Sequence, residues 1–299
     1  MYSNFNELQN SLSTGAPKTL AVAAAHDPHT LEAVFEAAKV LPMKYILVGD
    51  RAKIADISKG LGITLKDEEI VDAADSADCE LKAIELIRSG SASVLMKGII
   101  ETGTLLKAAL DKEHGIRGTG TMSHLAMLDV PAYKKLIAIT DGGMIPHPTL
   151  TQKADIIRNA VGFCQNLGID TPKVAVLCAS ESVSEKMPET EDAAALEKMC
   201  KNGELGDCLV EGPVSFDIAV DMESASIKKY PGKITGEADI FLVPTVATGN
   251  IFAKSLQYWG GAKMAGCVLG AKVPIVLTSR GASADEKLFS IMLCLKASL

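Results

Sequence analysis

A chain of 299 residues, 47% hydrophobic and 22% charged, holds enough core material for one large domain or two ordinary ones. A net charge of −7 and a pI of about 5.4 argue against a nucleic-acid surface, but leave room for a local cationic site that binds a small anion. No apolar stretch reaches the roughly 18 residues needed to span a bilayer. Residues 1–20 show no basic segment followed by an apolar one, so no secretory leader is expected and the expected setting is the cytoplasm. Seven cysteines (Cys79, Cys164, Cys178, Cys200, Cys208, Cys267, Cys294) form no C-x-x-C pair. They read as small hydrophobes in a reducing compartment.

Along the chain, short apolar runs alternate with amphipathic stretches. "TLAVAAAHD" precedes the helical pattern "TLEAVFEAAKVL". "KYILVGD", the helix-like "CELKAIELIRSG", "SVLMKG" and "KLIAITDGG" follow. Then come "TQKADIIRNAVGFCQNLG", "KVAVLCASES", "DAAALEKMCKNG", "DCLVEGP", "DIFLVPT" and "PIVLTSRG". Strands that are apolar on both faces, alternating with helices that end on glycine, indicate an α/β fold of parallel sheets covered on both sides. A Pro- and His-rich break after "TDGGMIPHPTLTQ" is the best candidate domain boundary.

In such sheets ligands bind outside the carboxyl ends of the strands. Here those ends are polar: His26-Asp27, Lys97-Gly98, Asp141-Gly142-Gly143, Ser180-Glu181-Ser182, Glu211-Gly212-Pro213 and Ser279-Arg280-Gly281. The dinucleotide glycine fingerprint, the P-loop, the G-x-S-x-G elbow and H-E-x-x-H are all missing. The five histidines are scattered, and a metal site is not expected.

"TSRGASADEK" is the richest stretch. Ser279 and Arg280 leave a strand at the ligand edge, Gly281 permits a tight turn, and Ser283 to Glu286 form the capping-box pattern of a helix start. A helix N-terminus beside a guanidinium suits phosphate, although Arg280 could equally pair with a carboxylate across the sheet. Glu286 has a capping task, which leaves Asp285 to act as a base or to complement the helix dipole. "VPTVATGNIF" brings Asn250 to a helix start, as a ligand contact or a cap. "GTGTMSHLAML" sets Gly118, Gly120 and Ser123 ahead of an expected helix, as a weak anion cradle.

Taken together, "MKGIIETGTLL", "GTGTMSHLAML", "TDGGMIPHPTL", "SEKMPETEDAAAL", "VEGPVSFDIAV", "GEADIFLVPTVATGNIFAKSL" and "VPIVLTSRGASADEKLFSI" resemble the phosphate acyltransferases, the phosphotransacetylase and phosphate butyryltransferase group. "KMPET" and the compact length are more similar to the butyryl branch. The resemblance implies the reversible reaction acyl-CoA + phosphate ⇌ acyl phosphate + CoA, with neither metal nor redox cofactor and with a homo-oligomeric enzyme. It also implies two α/β domains akin to isocitrate and isopropylmalate dehydrogenases, residues 1–147 with 276–299 and residues 148–275, with the site in the cleft between them. The family's catalytic Ser, Arg and Asp carry over onto Ser279, Arg280 and Asp285. Arg280 would hold the phosphoryl group, Ser279 the sulfur or oxyanion, and Asp285 would be the base for the CoA thiol. Many acetyl-branch sequences place the acid seven residues after the serine, which keeps Glu286 as the alternative base. Ile145 stands where that branch usually has asparagine. Lys97, Arg117, Ser123, Asp141, Asn250 and Gly281 are further substrate-binding candidates, and for Lys97 a salt bridge is an equal alternative. The competing readings are a phosphate acetyltransferase, a dehydrogenase of the related fold and a non-catalytic CoA-binding module. The dehydrogenase would need a nicotinamide site and, in decarboxylating members, an aspartate cluster, but no such cluster is visible and Asp217 with Asp221 reads as a solvated helix face.

Overall fold

The computed structural model describes residues 2–12, 16–278 and 281–298. The chain divides into two compact units, one of Asn6–Thr119 with Ala265–Leu299 (the outer unit) and one of Gly120–Met264 with Met1–Phe5 (the middle unit).

The chain opens with α1 (Phe5–Leu12), β1 (Lys18–Ala23), α2 (Pro28–Val40), β2 (Met43–Gly49) and α3 (Arg51–Gly60), followed by β3 (Ile70–Asp72), α4 (Ser76–Arg88), β4 (Val94–Lys97) and α5 (Thr102–Ala109). In the outer unit the strands lie in the order β3-β2-β1-β4 and continue into two strands from the chain's far end, β11 (Ile275–Val276) and β10 (Lys263–Leu269). β1 runs parallel to both β2 and β4, so Leu20, Val22, Leu47 and Leu95 are fully buried. Helix starts follow local chemistry. Asp27 caps α2, its carboxylate accepting the Thr30 N–H at 2.8 Å, and Pro28 occupies the first turn.

The middle unit holds β5 (Ser123–Asp129), β6 (Ile137–Thr140), α6 (Leu150–Asn166), β7 (Lys173–Leu177), α7 (Pro188–Lys201), β8 (Leu209–Val214), α8 (Phe216–Val220), α9 (Met222–Ile227), β9 (Ile240–Leu242) and α10 (Val246–Tyr258). Its strand order is β5-β6-β9-β7-β8. α6 starts with a full capping box between Thr149 and Gln152. The last helix of the chain, α11 (Ala284–Ala297), belongs to the outer unit. Among the described residues no helix is long and apolar enough to cross a membrane.

The alternation of strand and helix stands, with three corrections. The sheets are mixed, because β5 is antiparallel to β6 and β10 is antiparallel to β11. "GTGTMSHLAML" leads into β5 and not into a helix, since residues 130–136 form a short connection that returns the chain against 137–140. The unit boundaries fall at 119/120 and 264/265, not at 147/148 and 275/276. The β5–β6 pairing ties residues 120–147 to the middle unit, and the β10–β11–β4 pairings tie 265–275 to the outer one.

Asp239 sets one stabilising contact of the middle unit. Buried ahead of β9, its carboxylate accepts from Lys135 Nζ at 2.6 Å and from the Lys173 N–H at 2.8 Å. Removing one partner of a buried pair leaves the other charge uncompensated. Asp239→Ala is therefore expected to lower unfolding free energy by about 3–5 kcal/mol, read from urea midpoints. A loss below about 1 kcal/mol would show that the pair contributes little.

Candidate active site

In the outer unit a cavity of about 550 Å³ opens beyond the carboxyl ends of β1 and β4, where Asp27, Lys97, Gly98, Thr278, Gly281 and Lys287 meet. The parallel pairings β1–β4 and β4–β11 bring these ends together. Ser279 and Arg280 lie outside the described residues, but Thr278 and Gly281 on either side of them both line this cavity.

Lys97, the last residue of β4, donates through Nζ to the Gly98 and Ile100 carbonyls, each at 3.0 Å. Its ammonium is thereby held at the wall. Lys287 comes from the first turn of α11 and reaches the His29 carbonyl at 3.5 Å. Two cations, Lys97 and Lys287, face the cavity together with two carboxylates, Asp27 and Glu101, so its described lining is locally balanced in a protein of net charge −7. The carboxylate of Asp27 is engaged in capping α2, accepting also from the Thr30 hydroxyl at 2.7 Å.

Gly98 is required by space. A Cβ there would lie 2.7 Å from the Ala23 carbonyl oxygen and closer still to that of Ala24. Gly98→Ala is expected to destabilise by about 1–3 kcal/mol, seen as a lowered Tm. An unshifted Tm would mean that the loop beside β1 yields freely.

Ser283 caps α11 as expected, its hydroxyl accepting the Glu286 N–H at 3.1 Å. The two acids differ in setting: Asp285 is exposed on the first turn, whereas Glu286 is 7% exposed. Arg117 is exposed, and its backbone bridges to Ala271.

The remaining candidates belong to the middle unit and have structural partners. Ser123 is buried at the start of β5, where its hydroxyl accepts from Asn159 Nδ2 at 3.0 Å. The buried Asp141 carboxylate accepts the N–H groups of Gly143, Met144 and Ile145 at 2.8, 3.0 and 3.1 Å, and so shapes the loop after β6. Thr245, not Asn250, caps α10, with its hydroxyl accepting the Thr248 N–H. Asn250 is exposed and donates to the Gly142 carbonyl at 3.4 Å. Gly142 and Gly249 pack so closely that a Cβ on Gly249 would fall 2.8 Å from the Gly142 Cα. Beside them His124 has a buried Nδ1 without a hydrogen-bond partner among the described residues. Burial lowers its pKa below the ordinary value, against the pull of Asp141.

Lys287 escaped the sequence reading, although its place four residues after the capping Ser283 puts it in the same helical turn. Asp217 and Asp221, expected on a solvated helix face, both have local partners. Asp217 pairs with Lys228 at 2.9 Å, and Asp221 caps α9.

Residues 75–295 match the family described as phosphate acetyl/butaryl transferase. The chain is 41% identical over 293 residues to a phosphate butyryltransferase of Clostridium acetobutylicum, covering 98% of this chain and 97% of that protein. To a phosphate acetyltransferase of Thermotoga maritima it is 39% identical over 289 residues, covering 97% and 98%. The crystal structure of a branched-chain phosphotransacylase from Enterococcus faecalis superposes with a TM-score of 0.81 at 34% identity, covering 94% of this chain and 98% of that one.

Proposed function

The chain belongs to the phosphate acetyl/butaryl transferase family, and on that premise we propose that it transfers a short-chain acyl group, butyryl by preference, between CoA and inorganic phosphate. The observation that carries the reading is the outer unit's cavity, where Lys97 and Lys287 converge and which Thr278 and Gly281 line on either side of Ser279-Arg280.

In the direction of CoA acylation, Asp285 takes the proton from the CoA thiol, because the thiolate is the nucleophile. The thiolate attacks the acyl carbonyl carbon, the carbonyl electrons move to oxygen, and collapse of that adduct expels phosphate. Arg280 binds the phosphoryl group and stabilises the departing phosphate, with Lys97 and Lys287 adding positive charge. Ser279 donates a hydrogen bond to the oxyanion or the sulfur. The reverse reaction uses the same groups in the opposite protonation states. No electrons are transferred, so the steps call for no redox cofactor, and the cations take the place of a metal. We place the enzyme in the cytoplasm, where CoA and the chain's own thiols stay reduced.

The identities of 41% and 39% to a butyryl and an acetyl enzyme differ little. The butyryl preference rests on "KMPET" and on Ile145, which makes the loop after β6 less polar than an asparagine would. The test compares kcat/KM for acetyl-, propionyl-, butyryl- and valeryl-CoA, with and without phosphate. Phosphate-dependent CoA release, fastest with butyryl-CoA, is expected. Release independent of phosphate, or none with any ester, would overturn the reading, and an acetyl optimum would favour the acetyltransferase.

A further inference from the structure

Every described residue lining the outer unit's cavity comes from that unit, so the chemistry of this wall involves one unit alone. Three of its charged side chains have contacts within the fold. Asp27 caps α2, Lys97 Nζ donates to the Gly98 and Ile100 carbonyls, and Lys287 Nζ reaches the His29 carbonyl. Glu101 differs. It stands at the N-cap of α5, where a short side chain such as Asp or Ser normally accepts an N–H of the first turn. Asp27, Asp50 and Asp75 do so at the starts of α2, α3 and α4. The Glu101 side chain makes no capping hydrogen bond, and the Thr104 hydroxyl donates to the Glu101 backbone carbonyl at 2.9 Å. Among the described residues its carboxylate has no hydrogen-bond or ion-pair partner. A residue that breaks a local preference without a structural gain points to function.

A carboxylate in a cavity that takes an anion needs a physical reason. When ionised it only accepts hydrogen bonds, and it repels another anion unless that anion brings a proton to share. Inorganic phosphate at neutral pH still carries a P–OH group, whereas sulfate carries none. The lysine ammoniums attract both ions alike, as point charges. Glu101 treats them differently: it can accept the P–OH hydrogen of phosphate, while sulfate meets only like charge there. The combination of Lys97, Lys287 and Glu101 on one wall therefore suits a hydrogen-bearing oxyanion, where cations alone would take any tetrahedral oxyanion. The proton stays on phosphate in this contact, and no covalent bond forms or breaks.

We propose that Glu101 is a specificity-determining residue of this cavity, which accepts a hydrogen bond from the hydroxyl of hydrogen phosphate and excludes sulfate. The inference rests on the acyltransfer reading, which brings phosphate to this cavity, and it names the form of the anion that the cavity selects. Juxtaposed like charge is a main means of rejecting a wrong ionic partner. In Glu101→Gln the amide oxygen can still accept the P–OH hydrogen, but the amide nitrogen now donates to sulfate. Glu101 is exposed and the replacement has the same shape, so Tm is expected to stay unchanged.

The experiment measures the phosphate KM and the sulfate Ki in CoA release from butyryl-CoA, for wild type and Glu101→Gln, with ionic strength held constant by chloride. Calorimetric titration of the free protein with sodium phosphate and with sodium sulfate supplies a readout besides turnover. The preference for phosphate over sulfate is expected to fall by about tenfold or more in Glu101→Gln, chiefly through tighter sulfate. Glu101→Asp keeps the carboxylate and is expected to keep sulfate weak. A preference unmoved by Glu101→Gln in an active enzyme would overturn the inference alone. Equal tightening of both ions would overturn it as well, since net charge would then account for the whole effect. So would sulfate binding to wild type as tightly as phosphate. A wild-type protein that releases no CoA from any ester in the presence of phosphate would remove the acyltransfer reading and this inference with it.

Discussion

Asp285→Asn is expected to lower kcat by about 10²- to 10⁴-fold, the usual contribution of a positioned general base, with little change in either KM. The amide keeps the shape of the carboxyl but cannot accept the thiol proton. The two acids, Asp285 and the alternative base Glu286, differ in their exposure. Asp285 is exposed on the first turn of α11, while Glu286 is 7% exposed and gives its N–H to Ser283. Glu286→Gln is accordingly expected to act on Tm more than on kcat. Stopped-flow thiol release in both variants decides. Full activity in Asp285→Asn together with its loss in Glu286→Gln would transfer the base to Glu286.

Arg280→Ala is the second large effect, with phosphate KM raised and kcat lowered together, the latter by about 10²- to 10³-fold as for loss of one oxyanion donor. Both parameters are expected to move because, in the proposed mechanism, the guanidinium serves the bound phosphate and the phosphate leaving in the transition state. Arg280→Lys is expected to recover only part of the loss, since an ammonium cannot bind two phosphate oxygens in parallel. Lys97 and Lys287 hold residual charge at the cavity and keep the alanine variant from complete inactivity. If phosphate KM and kcat in Arg280→Ala stayed within threefold of wild type, the anion would have to be gripped elsewhere.

Several features are legible without coordinates because their causes are local. Ser283 caps its helix within three residues of its partner, and the period of the apolar residues marks α2, α4, α6 and α7. β5 is not legible as a strand, because "SHLAMLD" becomes one only by pairing with residues 137–140, which the run itself does not announce. Ser123 and Asp141 are substrate-binding candidates because they are polar and sit near strand ends. Whether such a residue faces substrate or holds its own loop depends on neighbours far away in the chain, Asn159 in the first case, while Asp141 turns back onto residues 143–145.

By itself the sequence determined the alternation of strands and helices and the Ser283 start of the last helix, because backbone propensity, capping and periodicity act over a few residues. Tertiary structure alone decided which strand ends share a cavity. Lys287 meets the carbonyl of His29 across 258 positions of sequence, and in the middle unit an apolar pocket gathers residues from 177 to 255. Sheet order and register bring such residues together, and these arise from pairing and packing between distant segments, for which no single segment carries the instruction.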